Sequence, residues 1–133
     1  GTNFVAIENE RRENKELGYF NELSLTTAES LLAAQTFQAD FSFTVTGGIR
    51  TALDIIKCLV LGADNVGLAG HFLHVLLRQG DDALVTEITN LKDQLKRLMV
   101  MLGCRTISDL KTVPYLLSPE LINFKEQVTS LKF

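Results

Sequence analysis

The stretch FSFTVTGGIRTALDIIKCLVLGADNVGLAG, residues 41–70, constrains the fold of this chain more than any other. Residues 41–46 alternate, with Phe41, Phe43 and Val45 set against Ser42, Thr44 and Thr46. Their aromatic and β-branched types predict a strand. Gly47 and Gly48 break it. Thr51 and Asp54 then stand at cap spacing ahead of one apolar helical face, formed by Ala52, Ile55, Ile56, Leu59 and Val60, and Gly62 is placed to end that helix. Residues 65–68, NVGL, form a second short strand, stopped by Ala69 and Gly70, and residues 71–77 read as helix again. Strand, helix and strand within about thirty residues is the length of a βαβ unit, which makes the two strands parallel. The predicted class is α/β.

The flanks add helices but no further strand. Residues 1–25 are polar and read as irregular, with the charged run from Glu8 to Glu16 as a solvated helix face or loop. Thr26 and Glu29 have capping-box spacing ahead of Ala28, Leu31 and Leu32, which predicts a helix over 27–37. A long helix is expected over 82–102, where Ile88, Leu91, Leu95, Leu98 and Leu102 recur at spacings of three and four, with Gly103 just past its end. Met99 and Met101 belong to its packing. Thr106 with Asp109 caps a short helix, Ser118–Pro119–Glu120 opens a last one, and the tail packs on the outside. A parallel sheet normally needs more than two strands, so the chain reads as the end of a larger domain.

Composition excludes several classes of function. With 133 residues and 46% hydrophobic types, the chain can build a core. The formal net charge is −3 and the basic residues are scattered, which argues against nucleic acid as a partner. No apolar run approaches the roughly 20 residues that cross a bilayer, and the first residues have no basic-then-apolar targeting pattern, so the expected setting is cytoplasmic and away from membranes. Cys58 and Cys104 lie in apolar helical contexts and are expected to be reduced, buried and inert.

The candidate site lies at the strand ends. Parallel α/β sheets bind ligands there, and in a (β/α)8 barrel the loops after the seventh and eighth strands often share a phosphate. Both strands here end in small residues, TGGIR and LAG. Glycine lets the backbone turn with positive φ and bring N–H groups against an anion, and the helix opening near Thr51 would add its dipole. Gly47, Gly48, Ile49, Ala69 and Gly70 are the expected amide donors, with Arg50 adding charge, and the ligand is the terminal phosphate of a flavin or a sugar phosphate. Each glycine alone is equally explained by a tight turn; the pairing of two loops points to the anion. His71 and His74 are three apart on a helix without a third ligand and read as packing or surface residues, with a place for His71 near the phosphate as a lesser expectation. Glu29 and Asp54 are cap partners, and no nucleophile, acid–base pair or metal cluster can be assembled.

The segments GTNFVAIENERR, LTTAESLLAAQ, TGGIRTALDIIKCLVLGADNVGLAG and LMVMLGCRTISDL, in that order, resemble the C-terminal portion of the flavin-dependent (type 2) isopentenyl-diphosphate isomerases. GGIRTALD and LAG are similar to segments of many FMN barrels, including inosine monophosphate dehydrogenase and the 2-hydroxy-acid oxidases; the first and last segments are narrower. The resemblance implies the C-terminal part of a (β/α)8 TIM barrel, from the end of strand 6 through helix 8, as one FMN-binding domain portion over residues 1–133. It also implies FMN as cofactor, NADPH to reduce it, Mg2+ to hold the substrate diphosphate, and interconversion of isopentenyl and dimethylallyl diphosphate. By position, Thr2 matches a threonine that contacts FMN, Gly48, Ile49 and Arg50 match the segment at the flavin phosphate with Gly47 in the same turn, and Ala69 and Gly70 match the second phosphate loop. The family's substrate, catalytic and Mg2+-binding residues have no counterpart here, and Thr46 stands where the family more often has Ser. The chain is thus expected to be inactive alone, to need the N-terminal part of the barrel, and to belong to a homo-oligomer. Two alternatives stay open: a fragment of an FMN oxidoreductase of the 2-hydroxy-acid oxidase or inosine monophosphate dehydrogenase type, and a non-catalytic half-barrel that self-associates.

Overall fold

A computed structural model describes residues 3–37 and 42–131. The elements run α1 (Phe4–Arg11), a 3-10 turn (Gly18–Leu23), α2 (Thr27–Ala34), β1 (Thr44–Thr46), α3 (Ala52–Val60), β2 (Asn65–Gly67), α4 (Ala69–Gln79), α5 (Asp81–Met101), α6 (Ile107–Leu110) and α7 (Pro119–Ser130). The class is α/β, with helices dominant and one two-stranded sheet among the described residues. β1 and β2 are parallel, as the length of the crossover through α3 requires. Thr44 faces Asn65, Val45 faces Val66 and Thr46 faces Gly67, so both strands end at the same height.

Four of the helices start where hydroxyl and carboxylate side chains can satisfy their free amides. Thr26 with Glu29, Thr51 with Asp54, and Thr106 with Asp109 each form a reciprocal capping box, and the Ser118 side chain caps α7 with Pro119 in its first turn. Gly62 and Gly103, at φ 100° and 71°, take the left-handed conformation just past α3 and α5 that β-substituted residues resist.

Two expectations change. Of residues 1–25, the described ones, 3–25, are not irregular: they hold α1 and the 3-10 turn. Asn3 caps α1, its Oδ1 accepting the Ala6 N–H at 2.9 Å, and the buried Asn9 accepts the Leu17 N–H at 2.8 Å to fold the turn back on the helix. Polar side chains, rather than an apolar stripe, hold this unit, which is why hydrophobic periodicity passes over it. β1 is also shorter than residues 41–46. Phe41 lies outside the described residues, and Phe43 precedes the ladder, its N–H donating to Asp64 Oδ2 at 2.8 Å.

The core gathers Leu31 of α2, Val45 of β1, Ile55, Ile56 and Leu59 of α3, Ala63, Cys104 and Leu110. Ala63 and Leu110 are fully buried. α5 packs across α3 and α4 with Leu91 buried, and α7 packs on α2 with none of its own residues buried, so it covers the outside. Cys58 and Cys104 are free and buried, and desolvation pushes the Cys58 thiol above its ordinary pKa, with the Asp54 charge adding to the effect. Among the described residues, no helix is long and apolar enough to cross a membrane.

Candidate functional site

Because the strands end level, the segment after Thr46 and the segment after Gly67 open on the same side of the sheet. Together they line a cavity of about 950 Å3. Gly47, Gly48, Ile49 and Arg50 form one wall and Ala69 and Gly70 the other, so six of the seven residues singled out from the sequence meet there. The seventh, Thr2, lies outside the described residues; its neighbour Asn3 lines the cavity, as do Phe4, Ala6 and Ile7 of α1.

The first loop is held at three points. Gly47 and Gly48 adopt φ 109° and 70°, conformations that a Cβ would strain. The Gly47 carbonyl accepts the Thr27 hydroxyl at 2.7 Å. Ile49 then drives its side chain into the core, where it is 6% exposed. Beyond it, Asp54 Oδ2 accepts the Arg50 and Thr51 N–H groups at 3.2 and 3.0 Å and the Thr51 hydroxyl at 2.8 Å. These bonds, the Thr51 hydroxyl foremost, hold the Asp54 carboxyl below its usual pKa.

This geometry redistributes the roles expected from sequence. The N-terminus of α3 is met by its own carboxylate, so its dipole is largely answered within the helix. α4 differs. Its N-cap is Leu68, which offers no side-chain acceptor, and the Ala69, Gly70 and His71 N–H groups find no protein acceptor among the described residues. The same holds for Gly48 and Ile49. Five backbone donors, two from the loop after β1 and three from the first turn of α4, therefore border one cavity. The space a Cβ would fill at Gly48 and at Gly70 is empty, which leaves room for an anion to approach the backbone closely. The Arg50 side chain is exposed and makes no ion pair among the described residues, so its charge is available.

His71 and His74 also line the cavity, and His71 Nε2 lies 2.7 Å from Glu87 Oε1 of α5. That contact places His71 as a link between α4 and α5 beside the site. Among the described residues, no group of three or more His, Cys, Asp or Glu could hold a metal ion. Sequence reasoning missed α1 as a wall and missed Thr27. Its hydroxyl reaches a carbonyl twenty positions away, and no local spacing rule marks such a contact.

Residues 22–116 match the family model described as FMN-dependent dehydrogenase. The chain belongs to the FMN-dependent dehydrogenase family. The matched span runs from the end of the 3-10 turn through α6 and includes both loops of the cavity. Within this FMN-dependent family, the chain is similar to proteins named isopentenyl-diphosphate delta-isomerase. It is 40% identical to that of Latilactobacillus sakei over 93% of this chain and 36% of the relative. It is 42% identical to that of Staphylococcus saprophyticus over 96% of this chain and 37% of the relative, and 45% identical to that of Bacillus licheniformis over 86% and 32%. The chain spans about a third of the length of the curated relatives it matches.

Proposed function

We propose that this chain is the C-terminal part of an FMN-dependent isopentenyl-diphosphate isomerase, and that its task is to hold the phosphate of the flavin. The observation that carries the reading is the convergence of two glycine-bearing loops, with unpaired amides, on one cavity in a chain whose relatives bear that name. Residues 1–133 then form the last β/α units of one (β/α)8 barrel, with β1 and β2 as its seventh and eighth strands.

The residues present fit a phosphate dianion. Gly48, Ile49, Ala69 and Gly70 donate backbone N–H groups, Gly47 supplies the turn, Arg50 adds a cation, and Thr2 contacts the flavin. Bound FMN supplies the proton-moving chemistry that interconverts isopentenyl and dimethylallyl diphosphate. The chain's own residues bind and orient: the loop after β1 is anchored by Ile49 and the Asp54 cap, so little ordering of that loop remains to oppose binding. NADPH as the reductant and Mg2+ at the substrate diphosphate belong to the whole enzyme in this proposal. The described residues offer no metal-ligand set of three or more His, Cys, Asp or Glu. The setting is the cytoplasm and the parent is a homo-oligomer.

The test is anaerobic assay of the longer parent protein with FMN, NADPH, Mg2+ and isopentenyl diphosphate. Formation of dimethylallyl diphosphate is expected, with no turnover and only weak flavin colour in the 133-residue chain. Oxidation of a 2-hydroxy acid or of inosine monophosphate by the parent, without isomerisation, would move the chain to the oxidoreductase reading. Stoichiometric flavin and turnover in the short chain would overturn the division of labour.

A second reading, self-association of the chain through its open sheet, would cover surface that the chain leaves exposed. The accessible area is 9665 Å2, against about 7,000 Å2 for a folded monomer of its 14.8 kDa mass.

A further inference from the structure

We infer that Thr27 is a positioning residue for the anion site: its hydroxyl sets the orientation of the Gly47–Gly48 peptide and so aims the Gly48 N–H into the cavity. The inference rests on the flavin-phosphate reading. It comes from a contact twenty residues apart in sequence, in which Thr27 Oγ1 donates to the Gly47 carbonyl at 2.7 Å in a partly buried setting.

The geometry follows from the planarity of the peptide bond. In a trans peptide the carbonyl of one residue and the N–H of the next point in opposite directions, and the described residues contain no cis peptide. Thr27 does not line the strand-end cavity; it borders a separate apolar cleft on the other side of the loop, and Gly47 and Gly48 lie between the two. Pinning the Gly47 carbonyl toward Thr27 therefore turns the Gly48 N–H away from that cleft and toward the strand-end cavity. Without the bond, flanking residues at φ 109° and 70° leave the peptide plane free to rotate, because glycine imposes no steric preference of its own. Thr27 also sits in the first turn of α2, whose capping box fixes its backbone, so the hydroxyl is presented from a rigid element. Thr26, the neighbouring threonine, is engaged in that cap, its hydroxyl accepting the Glu29 N–H at 3.2 Å.

The test compares FMN with riboflavin, which lacks the phosphate, in the apo form of the longer parent protein. Thr27→Val keeps the shape and removes the donor; Thr27→Ser keeps the donor. In Thr27→Val the preference for FMN over riboflavin should fall by about tenfold, the scale of one hydrogen bond to a charged group, with riboflavin affinity unchanged. Thr27→Ser should retain the preference. Equal weakening of both flavins, or an unaltered preference, would overturn the positioning role while leaving the flavin reading intact. No preference in the unsubstituted parent would overturn both. In the 15N-labelled 133-residue chain, inorganic phosphate should shift the Gly48 amide resonance, and Thr27→Val should abolish that shift while sparing those of Ala69 and Gly70. A retained Gly48 shift counts against the role.

Discussion

Gly48 and Gly70 border the same cavity with the same missing Cβ, yet their backbones differ, and that difference separates strain from occlusion. Gly48 sits at φ 70°, whereas Gly70 lies in the first turn of α4. Gly48→Ala should lower unfolding stability by about 1 kcal/mol through left-handed strain, and Gly70→Ala should be neutral or stabilise by up to about 1 kcal/mol as a better helix former. Both put a methyl where an anion would stand, so both should weaken flavin binding at least tenfold in the parent while leaving riboflavin less affected. Chemical denaturation and flavin titration on the two variants check the pair. An intact affinity in Gly70→Ala would remove the second loop from the site. These glycines were legible in the sequence because their spacing from strand to helix is local. Thr27 was not: its partner lies across a loop, and Thr26 beside it already accounts for the cap pattern.

Among the elements, those opened by capping boxes were legible in the sequence at their starts, because cap chemistry acts over three residues; the helix expected over 27–37 ends at Ala34. α1 was missed since its cap is a lone Asn3 and its apolar residues Phe4 and Ile7 are exposed. The caps also set a pH dependence. Glu29 and Asp54 have carboxyl pKa values lowered in the folded chain, Glu29 by the Thr26 backbone and hydroxyl and Asp54 first by the Thr51 hydroxyl. A carboxylate whose folded pKa lies below its unfolded value adds stability that is complete above the unfolded value and is lost as pH falls through the folded one. Stability should therefore hold from pH 7 to about 5 and decline below the ordinary carboxylate range near 4. Asp54→Asn should make that acid decline shallower, and Thr51→Ala should cost about 1 kcal/mol at neutral pH. Urea titrations at a series of pH values report both; an unchanged acid slope in Asp54→Asn would mean that the cap charge does not contribute. Cys58 belongs to this helix too. With its thiol pKa raised by burial, it should react with an aromatic disulfide at pH 8 only after denaturant is added.

For the whole molecule, the decisive quantity is surface. The chain exposes roughly 2,700 Å2 more than the area expected of a folded monomer of its mass, an excess at the upper end of what an obligate interface buries on each partner. Large apolar side chains contribute to it from several elements: Phe4 on α1, Leu77 on α4, Val100 and Met101 at the end of α5, and Leu116 before α7. Among the described residues, the outer edge of neither strand has a partner, and unpaired edges template further pairing. That the sheet needs more strands than residues 41–70 supply was readable from sequence; how much surface this leaves open was not, because it depends on how α5 and α7 wrap the core. Two occupants could cover it, a second copy of the chain or the rest of a barrel, and they differ in their response to the rest of the barrel supplied in trans. Light scattering on the chain alone should give a mass that rises with concentration. Addition of the N-terminal two-thirds of a relative such as the Bacillus licheniformis isomerase should return a single heterodimeric species and bring stoichiometric flavin with it. A strict monomer at high concentration would count against self-association. A mixture that stays separate and colourless would instead count against the barrel, because a completed barrel buries both sheet edges and closes the flavin site in the same step.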